Sequence, residues 1–297
     1  MLISAVPVFA FAADTVSVYF SLSGDDNVIQ KHKITVEDGI AEKYGYQVAD
    51  VDHNNVKVNG ATVFDAIVAA HKELYGTAFT KESAQNYLVM EKSFIKKSFG
   101  KTTASASFTV NKIMPNDGVI NPDWGQYTSY ASDTARIKDG DDICYFFYQD
   151  TKYYSDVYSW FDRDSYSVAV GGEVTVNLNG YTAMYYGVND WETIVENYAI
   201  PLDGADVYAD INGEKVLLGK TDANGNVSFS FAEGGEYLIY SGGYAYDEDM
   251  DEDDPVITSY ATVKVADQSK TFLEKIKSFF ESIKAFFVRI FNLIFKK

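Results

Sequence analysis

Thr62-Val63-Phe64-Asp65-Ala66-Ile67-Val68-Ala69-Ala70-His71-Lys72-Glu73-Leu74-Tyr75-Gly76 decides the reading of the first half of the chain. Val63, Phe64, Ile67, Val68, His71, Leu74 and Tyr75 recur at steps of three and four, which places them on one face of a helix. Asn59-Gly60 is a turn, Thr62 is an N-cap, Asp65 sits at N3 near the positive end of the dipole, and Gly76 supplies the stop. His71 on the apolar face reads as a residue at the core edge rather than a ligand.

Outward from this helix the pattern changes to alternation. Strands are expected at Val16–Phe20 and Lys33–Val36 before it, and at Ala106–Asn111 and Ile143–Gln149 after it, with a weaker second helix from Thr80. One helix on a small, mostly antiparallel sheet makes an α+β module over residues 14–162. Residues 165–266 alternate at Val168–Val170, Val174–Leu178, Val207–Ile211, Val227–Phe231, Tyr237–Tyr240 and Ala261–Val265. Turns at Gly171-Gly172, Asn212-Gly213, Asn224-Gly225 and Gly234-Gly235 separate these segments, as in an all-β sandwich.

The chain has 297 residues, room for two ordinary domains, and its 23 Tyr and 20 Phe give it ample apolar surface for folding. A net charge of -18 argues against nucleic acid as partner, because a phosphate backbone would be repelled. The charge is uneven: residues 270–297 carry seven basic and two acidic residues. Cys144 is the single cysteine, so no intrachain disulfide forms; it lies in the apolar run Ile143–Tyr148 and reads as a small buried hydrophobe. Residues 1–13 are apolar and small, and Ala10-Phe11-Ala12 fits an A-x-A cleavage site, so they are expected to be a signal-peptide remnant of an exported protein. The basic n-region is missing, which would place Met1 inside a longer signal.

The first module resembles the transcobalamin-like C-terminal domain family. The matching stretches are Thr62–Ile67, Phe108-Thr109-Val110-Asn111, Met114-Pro115-Asn116 and Ile137-Lys138-Asp139-Gly140-Asp141-Asp142-Ile143. The resemblance implies a β-grasp-like fold and raises a corrinoid or another small cofactor as ligand. Two departures stand out. Ser105-Ala106-Ser107-Phe108 replaces a Gly-Trp-x-Tyr run, and Lys112 stands where the family has Gly. The second module resembles a prealbumin-like or carboxypeptidase-regulatory-like sandwich, through Pro201–Val207, Gly219–Val227 and Gly235-Glu236-Tyr237. That resemblance implies a spacer in a surface protein.

No nucleophile elbow, zinc motif, phosphate loop or dinucleotide fingerprint is present in the sequence, so the chain reads as non-catalytic. The ligand candidates are Trp124, Asp123 and Gln126 in a polar loop, where an aromatic beside amides and carboxylates suits a glycan or flat cofactor, together with Asn111 in the turn that the resemblance marks. Trp160 and Phe161 are read as packing residues. Seven carboxylates crowd residues 247–254. Asp247, Asp249, Asp251 and Glu252 are the candidate Ca²⁺ ligands, against a solvated loop held open by repulsion. Asp222–Asn226 also looks calcium-like, but a hairpin turn accounts for it.

The tail repeats Phe272, Ile276, Phe279, Phe280, Ile283, Phe286, Phe287, Ile290, Phe291 and Ile294 at helical spacing, with lysines interrupting every span too often for a transmembrane helix. It is expected to form a basic amphipathic helix in a lipid interface, with docking on the second module or a coiled coil as competing uses. The expectation is therefore an α+β protein: a β-grasp-like module, an all-β sandwich and a C-terminal amphipathic helix. It would be exported, associated with a cell surface or envelope, and bind a small molecule, glycan or protein. No cofactor is assigned with certainty, and Ca²⁺ is the candidate ion.

Overall fold

The helix from Val63 forms as its cap requires. The computed structural model describes residues 14–24, 29–102, 105–121, 126–182, 190–247, 252–266 and Lys277. In it Asp65 N–H donates to Thr62 Oγ1 at 3.3 Å, while Thr62 N–H donates back to Asp65 Oδ2 at 3.0 Å. This reciprocal capping box satisfies two backbone donors left open by the first turn. Asp65 also accepts from Ala41 N–H at 3.0 Å, and its burial pushes its pKa upward despite these bonds. Every residue from Val63 to His71 is buried, whereas Leu74, expected on the inner face, is exposed.

Two compact units hold the described chain, 14–158 with Tyr181–Ala199, and Ser159–Gly180 with 200–266. The first unit begins with strands β1 (Thr15–Ser23) and β2 (Ile29–Glu37), followed by helices α1 (Ile40–Lys43) and α2 (Val63–Tyr75). Strands β3 (Val89–Glu91), β4 (Phe94–Ser98) and β5 (Lys101–Thr102) form a small sheet. Then come β6 (Ala106–Val110), a hairpin of β7 (Asn116–Asn121) and β8 (Gln126–Ser129), β9 (Asp142–Phe147) and, further on, α3 (Trp191–Asn197). The main sheet runs β2-β1-β9-β6. Within it β1 and β9 are parallel, with Tyr19 opposite Asp142, and the other pairings are antiparallel. Val18, Phe20 and Leu22 alternate inward from β1 and close the core with Val63, Phe64, Ile67, Ile143 and Tyr145.

The second unit is built of strands: β10 (Val157–Phe161), β11 (Ser165–Ala169), β12 (Glu173–Thr182), β13 (Ile200–Pro201), β14 (Asp206–Ile211), β15 (Glu214–Lys220), β16 (Asn226–Ser230), β17 (Gly235–Gly242), β18 (Tyr244–Asp247), β19 (Glu252–Ile257) and β20 (Tyr260–Ala266). One sheet runs β11-β20-β17-β14-β15, the other β13-β12-β10-β19-β18 with β16 on β12. The architecture is sandwich-like. Trp160 and Phe161 lie in β10, all five residues of which are buried. The Asp222–Asn226 segment is a hairpin turn, as its sequence implies. Asp222 Oδ1 accepts from Asn224 N–H and Asn226 N–H, each at 2.9 Å, and Gly225 is left-handed at φ 74°.

The α+β class is corrected. Half of the chain is strand, several sheets are present, and the described residues hold three α-helices, two of them short. The fold is β-rich. The single strong helix α2 was legible, but β3, β4, β5, β7, β8, β10, β13, β15, β18 and β19 were not, because they are short, carry charges at successive positions or, as in β10, are buried throughout and do not alternate. The second helix expected after Thr80 is a 3-10 turn at Ala84–Asn86. The terminal helix expected over residues 270–297 falls, apart from Lys277, outside the described residues. Among the described residues no helix is long and apolar enough to cross a membrane.

Candidate functional site

A cleft of about 280 Å³ opens in the first unit between the β3–β4 hairpin, strand β6 and residues 129–132. Its walls are mostly apolar, from Phe94, Ile95, Phe108, Tyr130 and Tyr145, with serine hydroxyls at 93, 107, 129 and 132. Such a combination suits binding, with apolar area for affinity and a few polar groups for orientation. A neighbouring cleft of about 520 Å³ is lined by Gln47, Met90, Glu91, Lys92, Phe94 and Lys96. Phe94 borders both and is 66% exposed, the most exposed large hydrophobic residue described.

The hairpin that holds Phe94 is strained. Glu91 pairs with Phe94 across a two-residue loop, and both loop residues are left-handed, Lys92 at φ 51° and Ser93 at φ 66°. Such a loop normally carries Asn-Gly, because a side chain there costs about 1–2 kcal/mol per residue. Ser93 Oγ donates to Asp133 Oδ2 at 2.8 Å, which ties the strained tip to the core. Asp133 is buried and the same oxygen accepts Ala49 N–H at 3.1 Å. Its Oδ1 and the Ser132 Oγ have no partner, leaving two buried polar atoms unsatisfied beside the cleft.

At the cleft's base, Tyr145 shares a hydrogen bond of 2.9 Å with Ser98 Oγ, and burial holds its phenol above the usual range, so it stays neutral. Ser98 leads into left-handed Phe99 (φ 48°), whose N–H donates to His71 Nε2 at 2.9 Å. Because Nε2 is thus an acceptor, the proton sits on Nδ1, which donates to Ile67 C=O at 2.8 Å. His71 is fully buried, and desolvation lowers its pKa to about 4. It is a neutral bridge between α2 and the residue after β4.

Beyond Tyr130, His53 lies with its ring centroid 5.0 Å from the tyrosine ring, and its Nε2 is 2.7 Å from Asp117 Oδ2. Burial alone would raise the pKa of Asp117. Bonds from Val119 N–H, His53 and Asn54 outweigh it and leave the carboxyl below its ordinary value. This pair pins the 51–57 loop to β7.

Of the ligand and metal candidates singled out from sequence, Asn111, Gln126, Asp247 and Glu252 lie among the described residues. Asn111 is left-handed at φ 53°, donates from Nδ2 to Asp141 Oδ1 at 2.8 Å, and accepts Asp142 N–H at 3.0 Å. It locks a turn to β9. Lys112, at φ 71°, occupies the position where glycine conformation is needed. Gln126 starts β8, while Asp123 and Trp124 lie outside the described residues. In the acidic run Asp247 and Glu252 are cross-strand partners that close the β18–β19 hairpin, whereas Asp249 and Asp251 lie outside the described residues. Asp253 and Asp254 continue that strand, with Asp254 buried, so the end of the run is not the solvated loop expected. Among the described residues no group of three or more His, Cys, Asp or Glu side chains is placed to hold a metal. Cys144 is buried, and burial pushes its thiol up to about 12. The membrane-association residues, Phe272 to Ile294, lie outside the described residues.

The cleft residues were missed from sequence because the hairpin lacks turn-forming residues and 129–132 carries no motif. One signal was available: Lys92, Lys96, Lys97 and Lys101 against Glu91 make a basic hairpin in an acidic chain. No known family model and no curated protein matches the sequence.

Proposed function

We propose that the chain is an exported, non-catalytic binding protein of the cell surface. The first unit does the binding, the sandwich acts as spacer, and the basic, phenylalanine-rich tail holds the protein at a membrane or envelope. The observation that carries the reading is the cleft beside β6: mostly apolar walls, an exposed Phe94 on a strained hairpin, and two unsatisfied buried polar atoms nearby. Strain of this kind, kept by a dedicated bond from Ser93 to Asp133, is found where a side chain has to be presented. The apolar tail with interspersed lysines supports attachment to anionic lipid.

The test is a thermal-shift screen of the full chain and a Phe94→Asp variant against corrinoids, soluble glycans and pooled peptides. A ligand that binds only the folded state raises Tm by mass action. The expected result is a shift with one class that the variant loses. No shift with any class, or shifts equal in both proteins, would overturn the cleft as the binding site. For the tail, Phe279→Asp with Phe286→Asp should abolish pelleting with anionic liposomes, and unchanged pelleting would remove the anchor from the reading.

A further inference from the structure

Resting on that reading, we infer that the cleft takes an extended polypeptide segment, which adds as a strand to the free edge of β6. The inference starts from the hydrogen-bond parity of β6 against β9. Tyr148 N–H donates to Ser105 C=O, and Asn111 N–H donates to Asp142 C=O. With the register Ser107 opposite Phe146 and Thr109 opposite Cys144, residues 105, 107, 109 and 111 turn their backbone groups toward β9. The N–H and C=O of Ala106, Phe108 and Val110 therefore point the other way. Val110 closes on Ile113 through bonds in both directions. Ala106 and Phe108 have no outward backbone partner among the described residues, β6 is the last strand of its sheet, and both residues line the cleft.

Two donors and two acceptors are thus presented at the spacing of alternate strand residues, beside a mostly apolar wall. The opposite edge of the same sheet is different. There β2 carries Lys31 and Lys33, charges of the kind by which edge strands discourage pairing, whereas β6 reads Ala-Ser-Phe-Thr-Val and carries none. An uncharged open edge in a groove is the arrangement of domains that bind peptides by strand addition, in which main-chain bonds supply affinity and flanking pockets choose side chains. The cleft volume fits one or two apolar side chains. Lys92 and Lys96, which outnumber the single carboxylate Glu91 in the lining of the adjoining cleft, favour an acidic residue or carboxylate at one end of the segment. The partner is accordingly an extended segment with apolar residues at alternate positions and an acidic flank.

The test uses the full chain and a displayed library of random peptides about twelve residues long. Selected peptides should share alternating apolar residues, and Ala106→Pro, which deletes one outward donor and leaves the β9 ladder intact, should weaken them roughly tenfold. Amide exchange of residues 143–147 in that variant checks that the ladder survives. A selected peptide is then N-methylated one residue at a time. Strand addition requires loss of binding at alternate positions and tolerance between them. Binders indifferent to Ala106→Pro and to methylation at either parity would overturn strand addition, as would a library yielding none. A concentration-dependent dimer lost in Ala106→Pro would assign the edge to a second copy of this chain and also overturn the inference. If glycans or corrinoids shift Tm while no peptide is selected, the peptide assignment fails and the binding function stands; if nothing shifts Tm, both fail.

Discussion

His71 links the pH of the medium to the closure of the first core. Its ring is buried, with Nδ1 donating to Ile67 C=O and Nε2 accepting from Phe99 N–H, so a second proton would have to displace a donor at Nε2 and place a charge in an apolar site. Desolvation brings its folded pKa to about 4, against about 6.5 in the unfolded chain. Between those values the unfolded chain holds more protons, so acid favours unfolding. The contribution is fully present above about pH 6.5 and lost progressively down to about pH 4. From about pH 7.5 to about pH 5 the linkage relation gives a loss of about 2 kcal/mol from this group alone. Urea unfolding of the full chain and of a His71→Gln variant across that interval isolates it, because other titrating groups cancel in the difference. The stability advantage of the parent over the variant should shrink by about 2 kcal/mol on acidification. A difference that stays constant with pH would refute the assignment of a neutral, buried, bridging imidazole.

Gly225→Ala drives a Cβ into the Leu178 carbonyl oxygen at a φ of 74°, and should cost about 2–3 kcal/mol, seen as a lower urea midpoint. Thr62→Ala removes the capping box of α2 and should cost about 1 kcal/mol by the same measurement, with helix content otherwise preserved in circular dichroism. Lys92→Gly relieves a left-handed residue on the hairpin and should raise stability by about 0.5 kcal/mol after the added unfolded-state entropy; destabilisation would show that Lys92 makes a contact worth more than the strain.

The legible parts of the fold were those with local causes. Helix α2 announces itself through Thr62, Asp65 and Gly76, and β1, β6, β9 and most sandwich strands through alternation between turn residues. The hairpin around Lys92-Ser93 was hidden because its turn is held by a remote bond to Asp133 rather than by Asn-Gly chemistry. Strand β6 could be read as a strand but not as an edge. Edge status depends on its pairing with β9, and no local pattern records which side of a strand stays unpaired. The resemblance points to the turn at Asn111 as a ligand position, whereas the Asn111 side chain is engaged by Asp141 and Asp142. The acidic run gave no hint that Asp254 is buried in a strand, since composition alone cannot separate a charged hairpin from a solvated loop.

The parallel pairing of β1 with β9 sets a timetable. Ser17 N–H reaches Asp139 Oδ1 and Ser21 Oγ reaches Ile143 C=O, each across 122 positions of sequence. Since β1 is an inner strand, the sheet has no completed centre until the ribosome has delivered the segment that ends at Phe147. At ordinary elongation rates that wait lasts roughly ten seconds. During it only locally paired elements can form, the β1–β2 hairpin, helix α2, the β3–β4–β5 sheet and the β7–β8 hairpin, without the strand that joins β1 to β6. A protein whose first strand is satisfied so late keeps its main core open for most of the synthesis of residues 14–158.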